Sequence, residues 1–329
     1  MRVGVVGTNF VSDTFMEGAK QVKEVSVTCV TSGHIENAEK FAEKYNIETV
    51  VSSLDEMLEK KLVDVVYLAV PNAMHYEMTK KCIEAHTAVL TEKPFVVTSK
   101  QTKDLFALAE KNHVYVHDGI MPLYSKGLEV IKENIKRVGK IHNVVFDFSK
   151  YSSRYDAYLD GKNPTTFRKE LCNGAMMDLG VYCVSDVVSL FGKPNKIEAF
   201  AELLDTGADI SSNAIFSYDD FSAVIMNSKA SDSIYPCVIS GEKGMLMIHG
   251  ASLLNKVVFK DRKEKTEEVL FEENQNPFVR EISDLIMNIQ NGNMESSKVP
   301  HALSVDIISC IEEIRHKTGI IYSCDEVKE

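Results

Sequence analysis

The first 118 residues carry the feature that most restricts the fold. Short apolar runs, most of them closed by Gly or Pro, recur with helix-length segments between them. Val3–Val6 ends at Gly7, and Ser26–Val30 ends at Thr31-Ser32-Gly33. Val63–Val70 stops at Pro71-Asn72, and Ala88–Thr91 and Val114–Asp118 follow. Val63–Val70 carries a single charge, Asp64, as expected of a strand buried on both faces. Between the runs, Ile35–Tyr45 puts Ala38, Phe41, Ala42 and Tyr45 at helical spacing, and Ser53-Leu54-Asp55-Glu56 matches a capping box. Helices are predicted over His75–Ala85 and Ser99–Lys111. Single strands alternating with single helices can pair in parallel, because each helix supplies the crossover that a parallel pair requires.

The rest of the 329 residues reads differently. A helix over Leu123–Ile135 leads to a long alternating strand, Ile141–Ser149. The irregular stretch Lys150–Asn173 holds Tyr151, Tyr155, Tyr158 and Phe167, so it reads as an ordered lid. A helix over Ala175–Phe191 precedes six short runs bounded by turn residues, at Lys196–Glu202, Asn213–Tyr218, Ser222–Asn227, Cys237–Ser240, Met245–Ile248 and Lys256–Phe259. The charged run Lys260–Glu268 reads as a solvated hairpin, and helices over Phe278–Asn291 and His301–Lys317 close the chain. The expected architecture is a doubly wound parallel α/β domain over 1–120. An α+β domain with a mainly antiparallel open sheet is expected over 121–329.

Charge and cysteine usage narrow the function. There are 37 Lys and Arg against 48 Asp and Glu, a net charge of −11, which argues against nucleic-acid partners and anionic membrane surfaces. The apolar runs stop well short of a membrane span, and the N-terminal one breaks on Gly7 too soon for a signal peptide. Seven scattered cysteines without a C-x-x-C pair suit thiols in a reducing cytoplasm, the expected location. No carboxylate cluster has metal-ligand spacing, and no metal site is expected.

Gly7-Thr8-Asn9-Phe10-Val11-Ser12 has the layout of G-x-G-x-x-G with its first glycine kept. Asn9 is expected to take the left-handed backbone of the second glycine, and Ser12 is small enough to let helix and strand approach. The helix start would then hold a pyrophosphate, making Gly7, Thr8, Asn9 and Phe10 candidate cofactor residues. After the second strand, Ser32-Gly33-His34 has no acid before Glu36. An acid there would repel a 2′-phosphate, so these residues favour NADP over NAD.

Three further segments carry a resemblance: Val70-Pro71-Asn72-Ala73-Met74-His75, Thr91-Glu92-Lys93-Pro94, and Asn173-Gly174-Ala175-Met176-Met177-Asp178-Leu179-Gly180-Val181-Tyr182. In this order, along essentially the whole chain, they resemble the glucose–fructose oxidoreductase/inositol dehydrogenase/MocA family. The resemblance implies an NAD(P)-dependent oxidoreductase of sugars, polyols or diols. It places Val70, Pro71, Asn72, His75, Glu92, Lys93 and Pro94 near the cofactor. Tyr182 stands where many members have His, as in the branch of glucose–fructose oxidoreductase and dimeric dihydrodiol dehydrogenase. Asn9, Gly33 and Asn173 depart from the family pattern.

Chemically, a lysine at the carboxyl end of a parallel strand lies where open α/β sheets bind ligands. Asp178 and Tyr182, four residues apart, occupy one helix face. A phenol has a pKa near 10, and an ammonium beside it lowers that value, so Lys93 would make Tyr182 a usable acid and base. Asp178 would hold the lysine. Within the long loop Arg154, Phe167 and Arg168 are candidate substrate contacts. His75 reads either as a cofactor neighbour or as a helix-start cap, and His249 and His301 read as structural. An apolar face on the open sheet implies a homodimer or homotetramer. Two alternatives stand beside the dehydrogenase: a cofactor-binding regulator without turnover, and an oxidoreductase whose bound cofactor is recycled.

Overall fold

A computed structural model describes residues 1–326; residues 327–329, the end of the expected second domain, lie outside the described residues. The described residues divide into two compact units, one of residues 1–119 and 275–304, the other of 120–274 and 305–326.

In the first unit six strands, β1 (Arg2–Val6), β2 (Ser26–Thr31), β3 (Thr49–Val50), β4 (Val65–Leu68), β5 (Ala88–Glu92) and β6 (Val116–Gly119), form one sheet. Their order is β3-β2-β1-β4-β5-β6, with every pair parallel. This is the doubly wound order that reverses between β1 and β4, and such sheets bind ligands at that reversal. Every residue of β4 is buried, as its near-unbroken apolar run requires.

The two contiguous domains expected from the sequence are replaced by an interrupted first unit. Residues 275–304 return to it because Phe278 packs edge-on against Phe15 and Tyr67, at 5.5 and 5.9 Å between ring centroids. Phe15 and Tyr67 are themselves stacked at 3.9 Å. Gly18 lets this happen, since a Cβ there would stand 2.6 Å from Phe278 Cβ. Asn276 adds a hydrogen bond from its amide to the Thr14 carbonyl, 2.9 Å.

The second unit holds β7 (Ile141–Ser149), β8 (Lys196–Leu203), β9 (Asp209–Ser217), β10 (Ser222–Ser228), β11 (Cys237–Gly241), β12 (Gly244–His249), β13 (Lys256–Asp261) and β14 (Glu267–Glu272). They run in the order β14-β13-β12-β11-β7-β10-β9-β8, antiparallel except for the β7–β10 pair. The charged run after Lys260 is a hairpin, as expected, and its far arm is the edge strand β14. Alternation sorts the two faces: Ile210, Ala214 and Phe216 of β9 are buried, whereas Ile215 and its neighbour Phe200 on β8 point the other way and are exposed. The helix Val181–Phe191 is buried over most of its length. The longer stretch Lys169–Phe191 is apolar enough to cross a membrane, contrary to the sequence expectation, but 78% of its apolar window lies inside the protein. It is a core helix.

The segment read as an irregular lid is ordered by its aromatics. It contains a helix, Ser153–Leu159, and two 3₁₀ turns, Thr165–Phe167 and Lys169–Leu171. Tyr155 and Tyr158 each meet Phe167 edge-on, at 6.3 and 6.1 Å, over Ala208 and Ile210.

Candidate functional site

The loops after β1, β2, β3 and β4 enclose a cleft of about 570 Å³ at the carboxyl ends of the strands. Gly7, Thr8, Asn9, Ser32, Gly33, Val70 and Pro71 line it, seven of the residues named from the sequence. Gly7 has φ +98°, and a Cβ there would strike the Ala69 carbonyl, so the first turn needs glycine. Ser12 is wholly buried and its Oγ donates to the Gly7 carbonyl at 2.8 Å, which draws the helix Phe10–Ala19 onto the strand.

Asn9 does not take the left-handed backbone expected of it. It is extended (φ −90°, ψ −179°) and caps the helix: its Oδ1 accepts from the Val11 and Ser12 amides at 3.0 and 3.3 Å. Its Nδ2 donates to the Ala69 carbonyl at 2.9 Å, tying the β1 loop to the β4 loop. Capping satisfies more groups than a strained turn would, which is why the extended form wins. Replacing Asn9 by Ala is expected to cost about 1 kcal/mol. Chemical denaturation checks this, and the same variant should weaken dinucleotide binding because the loop loses its tie.

The cleft suits a dinucleotide: a helix start is brought onto a glycine turn that no side chain could occupy, at the topological switch of the sheet. Sequence reasoning missed its far wall. Ser52, Ser53, Leu54 and Asp55 line it from the loop after β3, with Asn37, Met74, Met78 and Lys81. Lys81 and Asp55 pair at 2.8 Å. A two-residue strand such as β3 leaves no periodic signal, so the loop behind it could not be placed. Ser32 Oγ accepts from the Thr8 hydroxyl at 3.2 Å, joining the two loops that carry the selectivity reading.

Other expected cofactor residues lie off this lining. Phe10 is 83% exposed at the helix start, and His34 is exposed with no capping bond from its side chain. Asn72 opens the helix Asn72–Glu84. His75 is not the helix-start cap, which falls at Pro71. Its ring is completely buried, and its nitrogens face the carbonyls of Pro94 (2.8 Å) and Val70 (2.9 Å). Burial lowers its pKa against those two backbone bonds. The ring therefore links the loops after β4 and β5 from inside. Glu92 is also buried: its carboxylate accepts from the Tyr67 hydroxyl at 2.7 Å and from the Lys93 amide at 3.2 Å. Lys93 is half-buried at the strand end beside Pro94.

In the second unit the expected α-helix begins with a π-turn, Met176–Gly180, before the α-helix Val181–Phe191. Such turns are rare and concentrate at functional sites. Asp178 sits in the π-turn and Tyr182 in the first α-turn. Tyr182 is 6% exposed and meets Phe148 of β7 edge-on at 5.7 Å. Asp178 pairs with Lys229, which follows β10 and which sequence reasoning missed. Nothing local marks Lys229, because 51 residues separate the partners. Phe167 is fully buried, so the substrate contact expected of it is replaced by a packing role. Arg168 donates from Nε to the Asn163 carbonyl at 2.9 Å, while Arg154 is exposed on the Ser153–Leu159 helix.

One histidine–carboxylate group, Glu312, His316 and Asp325, has its ligand atoms within 4.8 Å of one another. Asp325 there is engaged by a bidentate Arg315, at 2.7 and 2.9 Å. Among the described residues none of the seven cysteines is in a disulfide.

Residues 1–120 match the model of an oxidoreductase family with an NAD-binding Rossmann fold, and residues 131–247 match the GFO/IDH/MocA C-terminal domain. The chain is 33% identical to the uncharacterised oxidoreductase YgjR of Escherichia coli, covering 100% of this chain and 99% of that one. It is 32% identical to the scyllo-inositol 2-dehydrogenase (NADP(+)) IolU of Bacillus subtilis, covering 99% of each. Its fold is similar to that of KijD10, a 3-ketoreductase from Actinomadura kijaniata solved with NADP and TDP-benzene. The TM-score is 0.85 at 19% identity, covering 97% of this chain and 98% of that one.

Proposed function

The chain belongs to the GFO/IDH/MocA oxidoreductase family, and on that premise we propose that it oxidises or reduces the CH–OH carbon of a sugar, polyol or diol with NADP as the preferred dinucleotide. It is an NAD(P)-dependent oxidoreductase; the substrate class, the dinucleotide preference and the proton relay are the proposal. When bound, the nicotinamide supplies the two-electron acceptor or donor. The observation that carries the reading is the cleft at the β1/β4 reversal, with Ser32-Gly33-His34 in place of an acid at the end of β2.

Gly7, Thr8 and the capped helix start would hold the pyrophosphate. Ser32 and the exposed His34 would donate to the 2′-phosphate, where a carboxylate would repel it. In the relay Tyr182 Oη takes the proton of the substrate hydroxyl in oxidation and returns it to the carbonyl oxygen in reduction. The Lys93 ammonium stabilises the phenolate, and Asp178 keeps the lysine charged. Support comes from the match of Glu92-Lys93-Pro94 and Asp178…Tyr182 to the family motifs, and from the π-turn that carries Asp178. The open sheet face with Phe200 and Ile215 is assigned to a second copy of the chain, as a homodimer or homotetramer. The seven cysteines outside any disulfide fit a cytoplasmic setting.

Calorimetric titration with NADPH and NADH tests the dinucleotide reading. NADPH is expected to bind at least about tenfold tighter, the value of one charge-assisted contact. Tighter NADH binding would overturn it. A panel of scyllo-inositol, myo-inositol, glucose and a trans-diol, followed at the reduced-nicotinamide absorbance, tests the substrate class.

A further inference from the structure

Lys229 is an unusual lysine. Its side chain is 6% exposed, whereas lysine is almost never enclosed without a partner. The backbone gives it no freedom: its amide donates to the Ile210 carbonyl and its carbonyl accepts from the Ser152 amide, both at 2.9 Å. From that fixed point the ammonium reaches the Oδ2 of Asp178 in the π-turn. The pair is asymmetric, because the Asp178 side chain keeps 44% of its surface while the lysine keeps almost none. A buried cation thus stands behind a carboxylate that faces outward.

The surrounding polar groups serve the same π-turn. Asp209, fully buried at the start of β9, accepts the Met176 amide at 2.7 Å, and Ser212 Oγ lies 3.1 Å from the same Oδ2. A Cβ on Gly174 would collide with Asp209 Oδ1, so the chain can reach that carboxylate only as glycine. Asn227 on β10 donates to the Ser212 carbonyl at 3.0 Å, and its Nδ2 would lie 2.7 Å from a Cβ on Gly180. Asp209 holds the backbone of the turn, Asn227 packs against it at Gly180, and Lys229 holds its Asp178 side chain.

We propose that Lys229 is a positioning residue that fixes the Asp178 carboxylate and keeps it ionised, so that Asp178 presents an acceptor to the hydroxyl of a polyol or diol or to an ammonium. The proposal rests on the reading of Asp178 as part of the reacting site. An ionised carboxylate only accepts hydrogen bonds, while a protonated one donates, so losing the cation would change what Asp178 can recognise. Asp209 is the other carboxylate facing Lys229; burial raises its pKa, and the Met176 amide, the Ser212 hydroxyl and the Lys229 charge oppose that rise.

The test is a double-mutant cycle in the full chain without cofactor, using Lys229→Met, Asp178→Asn and the pair, with Lys229→Arg as the conservative variant. Each single change should lower the melting temperature at pH 7, and the pair should melt within about a degree of Lys229→Met alone. The non-additivity should shrink as the pH falls and Asp178 takes up its proton, and Lys229→Arg should restore most of the loss. Additive effects at pH 7, or coupling that does not fall as the pH is lowered, would overturn the proposal. With the best panel substrate, Lys229→Met should lower kcat about ten- to a hundredfold, leave NADPH affinity unchanged and move the acidic limb of the pH profile upward, with Lys229→Arg close to the parent. If Asp178→Asn turns over normally, the reading of Asp178 fails. If Asp178→Asn is inactive while Lys229→Met keeps the parent profile and additive stability, only the role of Lys229 fails. Should Lys229→Met not fold, Lys229→Gln takes its place in the cycle.

Discussion

Replacing Tyr182 by Phe is expected to lower kcat by about 10²–10⁴-fold, the usual contribution of one general acid or base. The change removes only the hydroxyl. The ring stays 6% exposed and keeps its edge-on contact with Phe148, so melting temperature and NADPH affinity should stay near the parent values. Lys93→Met should lose turnover to a similar extent, since without the ammonium a phenol of pKa near 10 is a poor base at neutral pH. Raising the pH should recover part of the activity of Lys93→Met and none of that of Tyr182→Phe. The reduced-nicotinamide absorbance follows both. Full turnover in Tyr182→Phe would remove the phenol from the mechanism and leave the fold and the dinucleotide site as they are.

The second large effect concerns stability. Asp186 is wholly enclosed on the helix that carries Tyr182, neither of its carboxylate oxygens has a hydrogen-bond partner, and burial pushes its pKa well above the usual carboxylate range. Its titratable neighbours include the thiols of Cys183 and Cys237, which bring no positive charge. Below about pH 3.9 folded and unfolded chains both carry the proton, and the group costs nothing in ionisation. Above it the unfolded chain releases the proton while the folded one retains it. Stability therefore falls by about 1.4 kcal/mol per pH unit until the raised folded value is reached. Asp186→Asn should remove that slope, at an intrinsic cost of about 1–3 kcal/mol for a buried amide. Urea denaturation of both proteins at pH 5 and pH 8 reads the difference. Parallel pH dependences would show that Asp186 ionises freely in the folded chain.

Much of the fold could be read in advance because its signals are local. The valine-rich runs closing on Gly7, Gly33 and Pro71 fixed a parallel sheet, and Ser12 was small for the reason inferred, to bring helix onto strand. The alternating run Ile141–Ser149 and the turn-bounded runs after it likewise marked a mainly antiparallel sheet. The errors arose where a residue's environment comes from elsewhere. Asn9 could have entered the left-handed region, and it became a cap because the Val11 and Ser12 amides and the Ala69 carbonyl were all within reach. Phe167 was read as facing substrate, whereas its ring completes a small core with Tyr155 and Tyr158.

The family motifs identified Lys93, Asp178 and Tyr182, yet no motif could indicate that Asp178 has Lys229 behind it, or that residues 275–304 return to the first unit. The amino-acid order by itself determined the strand–helix alternation, the glycine turn and the absence of an acid at the end of β2. These depend on backbone freedom and periodicity within a few residues. The tertiary structure alone decided which buried charges meet, which aromatics are enclosed and which segments complete a core. Those outcomes depend on desolvation and packing between groups dozens of residues apart, for which a linear pattern carries no signal.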